Sequence, residues 1–283
     1  MKLLSYCYQG KTSYGVLSGD GVIDLAPIAA EAGATLREAL ERESLGRIAQ
    51  WAATQEASVG LASITFLPAV PDPRKIFCVG INYRSHVEEA GREVPSHPMI
   101  FTRFADSQAA HLQPIVRPRV SERLDFEGEL ALVVGRRGRH VKADDAMQYI
   151  AGYSCYNDGS VRDWQKHTSQ FAPGKNFPST GAFGPWLVTK DEIPDVSQLS
   201  LTTRLNGAVV QQARTDDLIF GAERLVEYLS TFTTLYPGDV IITGTTGGVG
   251  AFRQPPLWMK PGDVVEVEIS GIGTLRNTVV DEA

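Results

Sequence analysis

The chain has 283 residues, with 27 Lys and Arg against 33 Asp and Glu, a formal net charge of −6 and 43% hydrophobic residues. This is the composition of an ordinary globular protein long enough to bury a sizeable core, and its acidic balance argues against a nucleic-acid partner. No apolar run approaches a membrane span of roughly 18 residues. Cys7, Cys78 and Cys155 are scattered and lack C-x-x-C spacing, so a reduced cytoplasmic protein is expected.

Taken in chain order, residues 1–70 read as a small N-terminal α+β domain and residues 71–283 as the main one. Short β-type runs flank Gly19-Asp20-Gly21, a hairpin signal. Leu36, Leu40, Leu45, Ile48 and Trp51 recur at helical spacing, with an interruption near Ser44 to Gly46. Pro68 to Pro73 is proline-rich and reads as the joint. Strands are predicted over 75–80, 99–103, 127–134, 152–156, 186–189, 199–205, 240–243, 264–269 and 274–280. Helices are predicted over 83–90, from 143 onward, over 162–168 and over 222–231. Strands without regularly alternating helices predict an α+β, β-rich roll with a few covering helices rather than a doubly wound sheet.

In Leu124-Asp-Phe-Glu-Gly-Glu-Leu130, side-chain alternation puts Glu127 and Glu129 on one strand face and Phe126 and Leu130 on the other. Two carboxylates so close repel, and a hard divalent cation with a preference for oxygen relieves that repulsion. An E-x-E on a half-exposed strand suits a solvated face equally well. Asp158 follows a short apolar strand, where a side chain either reaches into a cleft or simply makes an Asx-turn.

His86 and Glu89 are three apart on a predicted helix, which makes them either an oriented base or a plain surface pair. The polar segment from Gly91 to Pro98 fits a mobile flap. Lys175 follows Pro173-Gly174 in a predicted loop, solvated or aimed at an anionic oxygen. Thr243-Gly-Thr-Thr-Gly-Gly-Val-Gly250 is neither a Walker A nor a dinucleotide motif, yet its amides and hydroxyls suit an anionic oxygen.

These segments stand in one order: Val79-Gly-Ile-Asn-Tyr-Arg-Ser-His86, Leu124-Asp-Phe-Glu-Gly-Glu-Leu130, Asn157-Asp-Gly-Ser-Val-Arg-Asp163, Gly174-Lys175, Gly184-Pro-Trp-Leu-Val-Thr189 and Gly238-Asp-Val-Ile-Ile-Thr-Gly-Thr245. As a set they resemble the fumarylacetoacetate hydrolase family, over roughly Arg74 to Val280. The resemblance implies a mixed β-sandwich roll, a homodimer, and Mg²⁺ or Mn²⁺ (Ca²⁺ in crystals) on Glu127, Glu129 and Asp158. It implies His86, Glu89 and Lys175 as catalytic residues, and Arg162, Gln170 and Thr245 as contacts to a small 2-oxo acid or diketone. The expected activity is hydrolysis of a C–C bond in an acylpyruvate-type acid, with decarboxylation, isomerisation or tautomerisation, and sugar-acid dehydration as the alternatives. Thr102-Arg103-Phe104, Thr246 and Pro178 to Phe183 depart from the family pattern around the pocket.

Overall fold

The computed structural model describes residues 1–283. The predicted β-rich α+β class is what forms: two large open sheets packed face to face, a two-stranded ribbon of Leu124–Asp125 with Ser160–Val161, and a few helices packed against them.

The large sheet runs, edge to edge, through strands 59–60, 21–24, 11–18, 2–8, 181–189, 150–157, 128–134, 240–245, 76–80 and 99–103. The second has five strands, in the order 208–214, 200–205, 264–269, 273–281 and 115–117. The N-terminal hairpin extends the large sheet edge-on, because Lys2 and Leu3 pair antiparallel with Val188 and Leu187. Residues 1–70 therefore share a hydrogen-bonded sheet with the rest of the chain.

The central strand Gly128–Val134 is buried on both faces, which explains its unbroken apolar run. Leu130, Leu132 and Val134 pack with Leu201, Val265, Val267 and Leu275 of the second sheet and with Leu225 and Leu229 of the helix Ala222–Phe232. Ala131 and Val133 face the other way, into a core shared with Leu36, Leu40 and Ile48. Each such leucine contributes roughly 1.5–3 kcal/mol by leaving water. Gly128 faces the second sheet at close range: a Cβ there would stand 2.0 Å from Thr203 Oγ1.

Several elements differ from expectation. The Leu36-to-Gln55 pattern forms two helices, Leu36–Glu41 and Leu45–Ala52, with the break at residues 42–44, slightly before the expected interruption at Ser44 to Gly46. Ala143–Tyr149 is 3₁₀ rather than α, and the helix from Arg162 stops at Gln165. Lys175 is no loop residue. It ends a short helix, Ala172–Lys175, and is 1% exposed. The strand Ala208–Arg214, polar and edge-placed, has no apolar alternation to reveal it.

Candidate metal and acid–base site

The site forms where the central strand meets its neighbours. Gly128 pairs with Asn157 in the antiparallel ladder, and Asp158 N–H donates to Glu127 C=O at 2.8 Å. That register carries Asp158 beside the two glutamates. A carboxylate oxygen from each of Glu127, Glu129 and Asp158 lies within 4.8 Å of the others, and all three residues are buried.

Each carboxylate has one oxygen engaged by a donor from outside the trio. Arg162 Nη2 is 2.6 Å from Glu127 Oε1, Arg103 Nη1 donates to Asp158 Oδ1 at 2.6 Å, and the Gly244 N–H donates to Glu129 Oε2 at 2.6 Å. Lys175 Nζ sits on two of the remaining oxygens, 2.5 Å from Glu127 Oε2 and from Asp158 Oδ2.

The electrostatics follow from this wiring. Burial alone would raise Glu127, but Arg162 and Lys175 outweigh it and hold its carboxyl at about 2. Glu129 is pushed well above the usual carboxylate range, by burial first and then by repulsion from Asp158 and Glu127. Burial opposes the charge on Lys175, yet Asp158 and Glu127 raise it, so the ammonium stays charged. A buried cluster with one carboxyl forced toward its protonated state is short of positive charge. The all-oxygen donor set fits a hard divalent cation, with Glu127, Glu129 and Asp158 holding it.

His86 and Glu89 lie on the helix Arg84–Glu89, with His86 Nδ1 3.3 Å from Glu89 Oε2. Glu89 is itself fixed by the Gly248 N–H, and the first turn of the helix is held by Asp217, which accepts from Ser85 N and Oγ. This pairing leaves Nε2 as the ring atom available to the cavity. His86, Glu127, Glu129, Asp158, Arg162, Lys175 and Thr245 share one solvent-open cavity of about 130 Å³, room for a small acid rather than a bulky ligand. Phe101, Phe171 and Phe252 supply its apolar wall, and Arg92 and Lys166 its further cations.

Of the residues expected at the site, Gln170 alone lies away from it. Its side chain is exposed, and the glutamine on the cavity wall is Gln165, whose Oε1 accepts from Arg162 Nη1 at 3.0 Å. Thr245 is reached through Gln211, which bonds Thr245 Oγ1 at 2.8 Å and the Gly128 N–H at 2.9 Å. Arg103, Asp125 and Gln211 escaped the sequence reading, whereas the Gly244 amide belongs to the Thr243-to-Gly250 loop expected to hold an anionic oxygen, here that of Glu129. Asp125 was within its reach, since the alternation through Glu129 and Glu127 continues to it. It binds Arg162 Nε at 2.8 Å and the amides of Gly250 and Ala251.

The family model described as the C-terminal domain of fumarylacetoacetate hydrolase matches residues 75–280. The chain belongs to the fumarylacetoacetate hydrolase family. This family member is 41% identical over 265 residues to a mitochondrial oxaloacetate tautomerase of Rattus norvegicus, covering 93% of this chain and 85% of the relative. Among solved structures, it resembles a 2-hydroxyhepta-2,4-diene-1,7-dioate isomerase from Mycobacterium marinum, at 31% identity and a TM-score of 0.78, covering 100% of this chain and 99% of that one. It also resembles the maleylpyruvate hydrolase of Sphingobium sp. SYK-6 in complex with manganese(II) and pyruvate, at 26% identity and a TM-score of 0.83 with 100% of both chains covered. The mitochondrial relative does not match the cytoplasmic placement expected from the sequence. No helix is long and apolar enough to cross a membrane.

Proposed function

We propose that this enzyme moves a proton between the enol and keto forms of a small 2-oxo dicarboxylic acid of the oxaloacetate type. The observation that carries the reading is the convergence, in one cavity, of a buried three-carboxylate cage and a separate His86–Glu89 pair. Similarity to oxaloacetate tautomerases over most of the chain supports it.

Mg²⁺ or Mn²⁺ on Glu127, Glu129 and Asp158 would supply Lewis acidity toward the 2-oxo acid and draw off enolate charge. The chain's own groups do the rest. Conversion of enol to keto removes the hydroxyl proton and adds one to the adjacent carbon. His86 Nε2 balances this by taking one proton and returning the other, while Glu89 keeps the ring oriented through Nδ1. Lys175 presents a charged ammonium to developing oxyanion charge, its Nζ lying 5.1 Å from the Phe101 ring centroid. Arg92 and Lys166 line the cavity without an ion-pair partner and suit the second carboxylate of the substrate.

C–C bond hydrolysis is the second reading, favoured by the same oriented histidine, which suits activation of a water, and by the likeness to a maleylpyruvate hydrolase. The test is the decay of the oxaloacetate enol absorbance with Mn²⁺-loaded protein, alongside NMR of products from acylpyruvates. Faster ketonisation with no new carboxylic acid supports tautomerisation. Release of an acid and a 2-oxo acid from an acylpyruvate supports hydrolysis, and no rate above that of EDTA-treated protein overturns both. The cytoplasmic placement and the homodimer belong to this proposal too; light scattering on the purified protein checks the dimer.

A further inference from the structure

The donors that engage the outer oxygens of the trio are locked in place. Arg103 lies 2% exposed at the end of the strand Met99–Arg103. Its Nε bonds Ser107 Oγ at 3.2 Å, Nη1 bonds Asp158 Oδ1 at 2.6 Å and Gly159 C=O at 3.0 Å, and Nη2 bonds Thr180 Oγ1 at 2.9 Å and Ser107 C=O at 3.5 Å. All five guanidinium donors are thus accounted for. Gly181 lies against the group so closely that a Cβ there would stand 2.6 Å from Nη2. Arg162 is pinned in turn by Asp125 and Gln165. The Gly244 amide is aimed by a backbone φ of +106°, and a Cβ there would meet Asn82 Cβ at 2.7 Å.

Beyond these fixed donors each carboxylate keeps a single oxygen, and on Glu127 and Asp158 that oxygen is held by the Lys175 ammonium, which a cation would displace. Ca²⁺ takes about six to eight oxygens and commonly reaches that number by chelation with both oxygens of a carboxylate. Mg²⁺ and Mn²⁺ are smaller and satisfied by about six, one per ligand, water included. A carboxylate whose second oxygen is held by a buried guanidinium cannot turn to chelate without breaking a charge-assisted hydrogen bond.

We propose that Arg103, together with Arg162 and the Gly244 amide, fixes the trio as one-oxygen ligands and so makes the site select Mg²⁺ and Mn²⁺ over Ca²⁺. Arg103 is the determinant of choice because Asp158 is fully buried and its Oδ1 has no other partner among the trio's neighbours. It touches no substrate and is a positioning residue. The inference rests on the reading of the trio as a metal site.

The experiment is isothermal titration of metal-stripped wild type, Arg103→Met and Arg103→Lys with Mg²⁺, Mn²⁺ and Ca²⁺, with circular dichroism to check folding. Wild type is expected to bind Mg²⁺ and Mn²⁺ more tightly than Ca²⁺, whereas Arg103→Met shifts the ratio toward Ca²⁺ by about tenfold. Arg103→Lys, which keeps a cationic donor, restores the wild-type ratio. Ca²⁺ binding by wild type as tight as Mg²⁺ binding or tighter, or an unchanged ratio in folded Arg103→Met, overturns the proposal. If Arg103→Met does not fold, the wild-type ratio decides. Binding of none of the three ions sinks the metal reading itself, a result distinct from unselective binding.

Discussion

Replacing Lys175 with methionine tests the electrostatic design of the site without touching a candidate ligand. The ammonium stands 2.5 Å from both Glu127 Oε2 and Asp158 Oδ2, and its removal leaves two buried oxygens facing each other with nothing positive between them. Breaking a buried ion pair by deleting one partner costs about 3–5 kcal/mol. Here Glu127 keeps Arg162 and Asp158 keeps Arg103, so the lower end, about 3 kcal/mol, is expected in EDTA. Saturating Mn²⁺ should narrow that gap, because in the variant a cation reaches the same oxygens without displacing an ammonium. At about 100 times its Kd, a ligand adds about 2.7 kcal/mol to the state it binds. The assay is urea unfolding of both proteins at one protein concentration, with EDTA and with Mn²⁺. Stability within about 0.5 kcal/mol of wild type in EDTA, or an equal loss in both conditions, would refute the reasoning.

Three further outcomes are expected. His86→Ala should lower turnover by about 10²–10⁴-fold while leaving Mn²⁺ affinity unchanged by calorimetry; a loss of metal instead would place His86 at the ion rather than at the proton. The metal-free protein should show two opposite pH dependences. Glu127, lowered from 4.5 to about 2, contributes stability above the unfolded value that is lost as pH falls through that window. Glu129, raised by burial and by its acidic neighbours, contributes most below the unfolded carboxylate pKa, and that share is lost as pH rises through its elevated folded value. Mn²⁺ binding below that elevated value should accordingly release a proton, read as a dependence of titration enthalpy on buffer ionisation enthalpy. Gly128→Ala should destabilise by about 1–3 kcal/mol in thermal unfolding, because its Cβ would press on Thr203 Oγ1 at 2.0 Å.

Local rules reached far along this chain. Alternation put Glu127 and Glu129 on one face, and helical spacing placed His86 beside Glu89. Apolar runs located the central strands, since each of these depends on neighbours within a few residues. The set of motifs in order also pointed to the family, and with it to Asp158. What the sequence by itself left open was whether the glutamates are solvated or caged. Tertiary structure decided that, through a ladder register that sets Gly128 against Asn157 and a second sheet that seals the strand's other face. Lys175 shows the same limit: Pro-Gly-Lys reads locally as an exposed loop, yet the packing of Ala172–Lys175 buries its ammonium between carboxylates that flank the ends of two strands. Gln165 takes the wall position expected of Gln170 because the helix from Arg162 ends sooner than its pattern suggests. Arg103 is the clearest case. No local pattern marks a strand-end arginine as the partner of a carboxylate 55 residues away. Only burial, which demands a partner for every charge, brings the two together and ties down one oxygen of Asp158.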